Sequence, residues 1–166
     1  MKYVVLFFLF LISCLSAGAS TESSEIQARV FGGAKNFSDF YTADTVTASR
    51  LDPPDMKDAA DLGKYRVITT VPVPLSMIQE LRAIFSDPGT YSLDSAKGCL
   101  PSYGVRFTFG SGSKAVALDI CLECDIFAVS RNGKVVGGED FDSAAPKLLT
   151  MIKTLFPKDK ALQEFQ

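Results

Sequence analysis

From Val105 the chain alternates: Val105, Phe107 and Phe109 are large and apolar, while Arg106 and Thr108 between them are polar. Successive side chains of a strand point to opposite faces, so this segment is expected to be a strand with one buried face. Gly110-Ser111-Gly112-Ser113 supplies a reversal. Val116, Leu118 and Ile120 on one face, against Ala115, Ala117, Asp119 and Cys121 on the other, then predict a second strand beside the first. Cys121-Leu122-Glu123-Cys124 ends it. A third run, with Phe127 and Val129 sharing a face, reaches Asn132-Gly133. Both turn residues tolerate positive φ, which predicts a type I′ hairpin pairing Val129 with Val136. The strand after it is expected to be short, because Gly137-Gly138 weakens it and Glu139-Asp140-Phe141-Asp142 reads as an exit toward a helix.

Before this meander, Thr45 to Leu51 is β-branched enough for a first strand, stopped by Asp52-Pro53-Pro54. Met56 to Leu62 suggests a helical turn, and Tyr65 to Val73 a strand in which Pro72, unable to donate to a ladder, argues for an edge. Ser76, with Gln79 as capping-box partner, opens a helix whose stripe is Met77, Ile78, Leu81, Ile84 and Phe85. Asp87-Pro88-Gly89 ends that helix, and a loop from Tyr91 to Gly98 delivers Cys99. After the meander, Asp142 or Ser143 is expected to cap a helix carrying Leu148, Leu149, Met151, Ile152, Leu155 and Phe156. Pro157 closes it, and one further short helix fits in Lys158 to Gln166. The order predicts an α+β fold: an antiparallel sheet, built as ββα then a β-meander and a C-terminal helix, with two helices packed on one face.

The N-terminus belongs outside this fold. Lys2 followed by the apolar run Tyr3 to Ile12 reads as an export signal, too short to span a bilayer comfortably. Ala17-Gly18-Ala19 offers an A-x-A cleavage site, giving a signal peptide over 1–19. Leu11-Ile12-Ser13-Cys14 instead resembles a bacterial lipobox, in which residues 1–13 are removed and Cys14 becomes a lipidated terminus. Residues 20–36, small and polar with Gly32-Gly33 among them, read as a flexible tether, and 37–166 as a single α+β domain.

Composition then narrows the chemistry. The sequence has no histidine, which removes Ser-His-Asp and Cys-His nucleophile systems and His-based zinc sites. No Gly-rich phosphate-binding motif occurs. There are 17 basic and 19 acidic side chains, and loss of Lys2 leaves 16 against 19, a formal charge of −3. That surface lacks the basic footprint nucleic acid requires.

With Cys14 acylated or discarded, the domain keeps Cys99, Cys121 and Cys124. In an oxidising compartment, three sulfurs mean a disulfide plus a free thiol, an intermolecular bridge or a shared metal. The plain reading is a staple from Cys99 to Cys121 or Cys124, worth roughly 3 kcal/mol in the chain-entropy account. A metal site would use Cys99, Cys121 and Cys124 with Glu123 or Asp125, although one C-x-x-C without histidine is a weak zinc pattern. Thiol-redox work at Cys121-x-x-Cys124 is opposed by the neighbouring carboxylates, which disfavour a thiolate. Glu139, Asp140 and Asp142 match no calcium-loop spacing and read as favourable charge at the N-terminus of the last helix. Tyr103, beside the cysteine joint, is a candidate groove residue.

The motif Cys99-x-Pro-x-Tyr-Gly-Val, then Asp119-Ile120-Cys121-Leu122-Glu123-Cys124, Phe141-Asp142 and a helix ending Leu155-Phe156-Pro157 resembles a group of small exported bacterial proteins, many with lipoprotein-type leaders. The likeness runs from the Val46 to Leu51 strand to the C-terminal helix. It implies a cell-envelope address and cysteines integral to the domain, and brings no catalytic residue or cofactor with it. The expectation is a non-enzymatic binding or interaction domain with a structural disulfide. It would meet the membrane through Cys14 or stand free in the periplasm, with an envelope protein as partner and no cofactor. The alternative is a metal-binding or thiol-redox protein using the three cysteines.

Overall fold

In a computed structural model, which describes residues 24, 26–54, 61–93 and 97–166, the alternating segments build one sheet. The leader, Cys14 and all but the last two residues of the turn expected over Met56 to Leu62 lie outside the described residues. The strands are β1 (Val46–Asp52), β2 (Arg66–Pro72), β3 (Val105–Phe109), β4 (Val116–Cys121), β5 (Ile126–Arg131) and β6 (Lys134–Asp140). They lie in the order β2-β1-β3-β4-β5-β6, with every neighbouring pair antiparallel. Pro72 therefore does sit on an edge strand.

Register turns the sequence alternation into two different surfaces. Ala48, Phe107, Leu118 and Val129 form one row across four strands, and all four are fully buried. The chain also forms the helices α1 (Ala34–Thr42), α2 (Leu75–Ser86), α3 (Ala145–Leu155) and α4 (Lys160–Glu164). The two longest cover that row: Ile78, Leu81, Ile84 and Phe85 of α2, with Leu148, Met151 and Ile152 of α3, belong to the same apolar cluster. Aromatic rings run through it, with Phe31–Phe40, Phe40–Phe109 and Phe85–Phe127 centroids 4.8, 4.5 and 4.9 Å apart. Buried rings of this kind contribute both apolar area and ring-to-ring contact, here in tilted pairs, so they carry much of the core.

Several local expectations are corrected. No side chain caps α2: Pro74, whose ring presets φ, is its N-cap, so the Ser76–Gln79 box does not form. Neither Asp142 nor Ser143 caps α3, which starts from Ala144 after a 3-10 turn over Asp142–Ala144. Ser143 Oγ instead donates to the carbonyls of Gly89 and Thr90 at 3.0 and 3.2 Å. The Asn132-Gly133 turn is present, with φ of 52° and 74°, and is flanked by the Arg131–Lys134 pair. A bulge between Val129 and Ser130 then shifts the register, so Val129 faces Gly137 and not Val136.

Two further differences share one cause. β6 runs straight through Gly137-Gly138 to Asp140, and the segment read as a tether contains packed chain: residues 26–30 are helical, and Val30 and Phe31 are 1% and 0% exposed. The glycines let these pieces touch. A Cβ on Gly137 would run into the Val30 carbonyl, and one on Gly32, at φ +65°, into the Val136 carbonyl. Glycine here permits close approach of two backbones, and the packed domain begins before Phe37.

Gly137→Ala is expected to destabilise the fold by about 1–3 kcal/mol, the usual range for forcing extra atoms into a filled space. Urea unfolding measures it; an unchanged midpoint would mean that residues 26–33 do not pack on β6.

Candidate functional site

The sequence-predicted cysteines come together at the end of β4 and the turn after it. Cys121 closes β4 opposite Ile126 of β5, and Cys124 lies in the four-residue turn between those strands. Cys99 arrives on the loop before β3 and is joined to Cys124, with Cα atoms 6.1 Å apart, inside the span a disulfide allows. Of the two pairings the sequence left open, this is the one formed. Cys121 remains a free, fully buried thiol whose sulfur accepts a hydrogen bond from the Ser102 N–H at 3.3 Å.

Polar contacts hold the same loop down on either side of the bridge. Lys97 Nζ donates to the Cys124 carbonyl at 2.6 Å and pairs with the Asp142 carboxylate. Further along, Gly104 N–H donates to the Ile120 carbonyl at 3.0 Å, while its own carbonyl accepts from Leu51 N–H and Arg50 Nη1, both at 2.9 Å. The bridge thus works beside a strand-like landing site and acts as one of several fasteners. Tyr103 is buried with Tyr65, ring centroids 5.8 Å apart, in a small second core with Leu51, Leu62, Cys121, Cys124 and Ala128. Burial pushes its phenol up to about 12, so Tyr103 stays neutral and does not offer a proton-transfer group near pH 7.

The acidic candidates disperse. Glu139 and Asp140 lie in β6, and only Asp142 stands in the turn leading to α3. Glu139 faces Arg29 at 3.8 Å. Asp125, at φ 51°, is a turn residue whose carbonyl accepts from Phe141 N–H at 2.8 Å. Burial raises its carboxyl above the usual value, with Lys97 pulling the other way. Among the described residues no three histidine, cysteine or carboxylate side chains are grouped to hold a metal ion.

A second arrangement lies on the sheet face that α2 and α3 leave uncovered, and the sequence reading did not assemble it. Arg106 of β3 stands directly across from Asp119 of β4, Nε to Oδ1 2.5 Å, and Ser130 Oγ of β5 donates to the other carboxylate oxygen at 2.9 Å. Asp119 is 0% exposed, whereas the Arg106 side chain is 21% exposed. Burial raises the Asp119 carboxyl above its usual value, although Arg106 and then Ser130 pull it down. Beside the pair a cavity of about 270 Å³ opens over a floor of Thr108, Ala117 and Ser130, walled by Leu62, Tyr65 and the Asn132-Gly133 hairpin. The signal was present in the alternation, which placed Arg106 and Asp119 away from the apolar face; what it lacked was the register that sets them opposite each other.

Compared with family models, curated proteins and solved structures, the chain matches none.

Two outcomes follow from this geometry. Replacing both Cys99 and Cys124 with serine is expected to lower stability by about 3 kcal/mol, for a bridge closing a 25-residue separation, as read by urea unfolding. For Asp119, the folded carboxyl titrates above the unfolded value of 3.8, so the native state holds the proton longer. Its contribution to stability must fall as pH rises through the interval just above 3.8 and then level off. Plotted as wild type minus Asp119→Asn, unfolding free energy should show that downward step; an upward step would mean that Arg106 outweighs burial.

Proposed function

We propose that this chain is an exported bacterial envelope protein whose folded part is a non-enzymatic binding domain, stapled by a structural disulfide. The observation that supports it most is the Cys99–Cys124 bridge. A bridge of this kind forms and persists in oxidising compartments, which agrees with the export signal read at the N-terminus. It also occupies two of the three sulfurs, and the third is buried and held against the Ser102 amide. A thiolate metal site or an exposed redox thiol needs those groups free, so the alternative of a metal-binding or thiol-redox protein is the weaker reading.

The remaining chemistry agrees with binding better than with turnover. The chain has no histidine, Asp119 is enclosed and satisfied, and Tyr103 is neutral. Attachment to a membrane runs through acylated Cys14, with the soluble periplasmic form as the other processing outcome, and the partner belongs to the same envelope compartment.

Thiol counting with native mass spectrometry on the mature protein tests the staple. The expected result is one alkylated thiol after unfolding without reductant, none before, and no bound metal; three thiols with zinc or copper retained would establish the alternative. Acyl-label incorporation that disappears in Cys14→Ser decides the anchor, and a precursor recovered only in the cytoplasmic fraction would remove the envelope assignment altogether.

A further inference from the structure

We propose that the cavity beside Arg106, on the sheet face away from α2 and α3, is a binding site for a small monocarboxylate, gripped by the Arg106 guanidinium. The inference rests on the binding-domain reading and names the ligand class for it. Three independent features of the site point the same way.

The first is the room itself. Thr108, Ala117 and Ser130 form one register row, and the residues that follow or precede them on the opposite face are Phe107, Phe109, Val116, Leu118, Val129 and Arg131. The same three strands therefore carry bulky side chains toward the helices and short ones toward the cavity. The resulting space, about 270 Å³, has room for a small organic acid.

The second is the state of Arg106. Asp119 fixes its Nε edge at 2.5 Å and is itself immobilised by Ser130, so the guanidinium plane is held before any ligand arrives. Nη2 reaches the Leu62 carbonyl only at 3.5 Å, and Nη1 has no partner among the described residues. Arg106 lines the cavity, so a ligand there would be met by these remaining donors. Two parallel N–H groups on a rigid fork match the two oxygens of a carboxylate, and holding the fork in advance removes part of the ordering cost of binding.

The third is charge. Asp119 is fully enclosed with both oxygens occupied, so it cannot receive a cation from the cavity. Among the described residues no lysine and no second arginine lines the space, and the Arg106–Asp119 pair is neutral as a unit. A dianion such as phosphate would meet too little positive charge, whereas a monoanion needs only the outer donors. Leu62 and the Tyr65 ring provide an apolar wall for the rest of the acid.

The experiment is an amide NMR titration of the mature, disulfide-intact chain with sodium benzoate, a small monocarboxylate with an apolar ring, and with benzamide and inorganic phosphate at matched ionic strength. Benzoate should give saturable shifts centred on the Gly63, Ala117 and Gly133 amides, with benzamide at least tenfold weaker and phosphate without effect there. The double variant Arg106→Gln/Asp119→Asn removes both charges together, leaving no unpaired carboxylate, and should weaken benzoate at least tenfold. Ala117→Leu fills the floor while keeping the ion pair, and should do the same. Benzoate shifts that are absent, that survive both variants, or that benzamide or phosphate reproduces equally overturn the site. The benzamide and phosphate arms need no variant to fold, and failure in them leaves the disulfide and export tests untouched.

Discussion

The constraint on which the rest depends is that β3, β4 and β5 must satisfy two faces of unequal demand with one alternating sequence. Period two sends every second residue to each side, so nothing can be improved on one face without a register that keeps it there. On the helix side the demand is volume, met by Phe107, Leu118 and Val129 in a fully buried row. On the other side the chain places Arg106, Asp119, Ala128 and Ser130, of which the last three are nearly or wholly buried although α2 and α3 pack on the opposite face. A face left simply to solvent would carry exposed polar side chains. This one is partly roofed by the residues around Leu62 and Tyr65, and what it encloses is an ion pair and a cavity.

The disulfide belongs to that second face. Cys124 joins Cys99 beside the small core of Tyr65, Tyr103 and Leu62, so the bridge stabilises the loop that leads into β3 and the core against which Tyr65, a wall of the cavity, packs. Loop closure over 25 residues matters in the unfolded chain; in the folded chain Lys97, Gly104 and Ser102 already hold the same segment by hydrogen bonds. The cysteines, which look like the chemistry in the sequence, thus act as support for a neighbouring surface.

How much of this could be read from the residues depends on whether the deciding force is local. Asn132-Gly133 specifies its turn through backbone conformations available in those two positions, and Pro72 declares an edge because it has no N–H to give; both were legible. Helix starts were not, since Ser76 and Ser143 look like caps until Pro74 and the Gly89–Thr90 carbonyls claim those roles from outside the local sequence. Gly137-Gly138 was misread for the same reason: in isolation the pair weakens a strand, and only the crossing of Val30 over β6 shows what the missing side chains permit. Among candidate sites, the convergence of Cys99 and Cys124 was legible from the joints of the meander. The Arg106–Asp119 pair required knowing that the β3–β4 register is symmetrical about Phe107–Leu118.

That pair is the part of the molecule that stability alone does not account for. Enclosing a carboxylate costs several kcal/mol before its partner repays any of it, and apolar residues of similar volume often serve as well or better, by about 1–4 kcal/mol. Here the replacement would be easy, because Ala128, Ala117 and Tyr65 already surround the site with apolar surface. A buried Asp119 holding a partly exposed Arg106 is therefore better understood from the side the arginine presents than from the side it hides. What the enclosed carboxylate supplies is direction: it fixes one edge of the guanidinium in a side chain that lines the cavity, which lowers the ordering cost of anything that binds there.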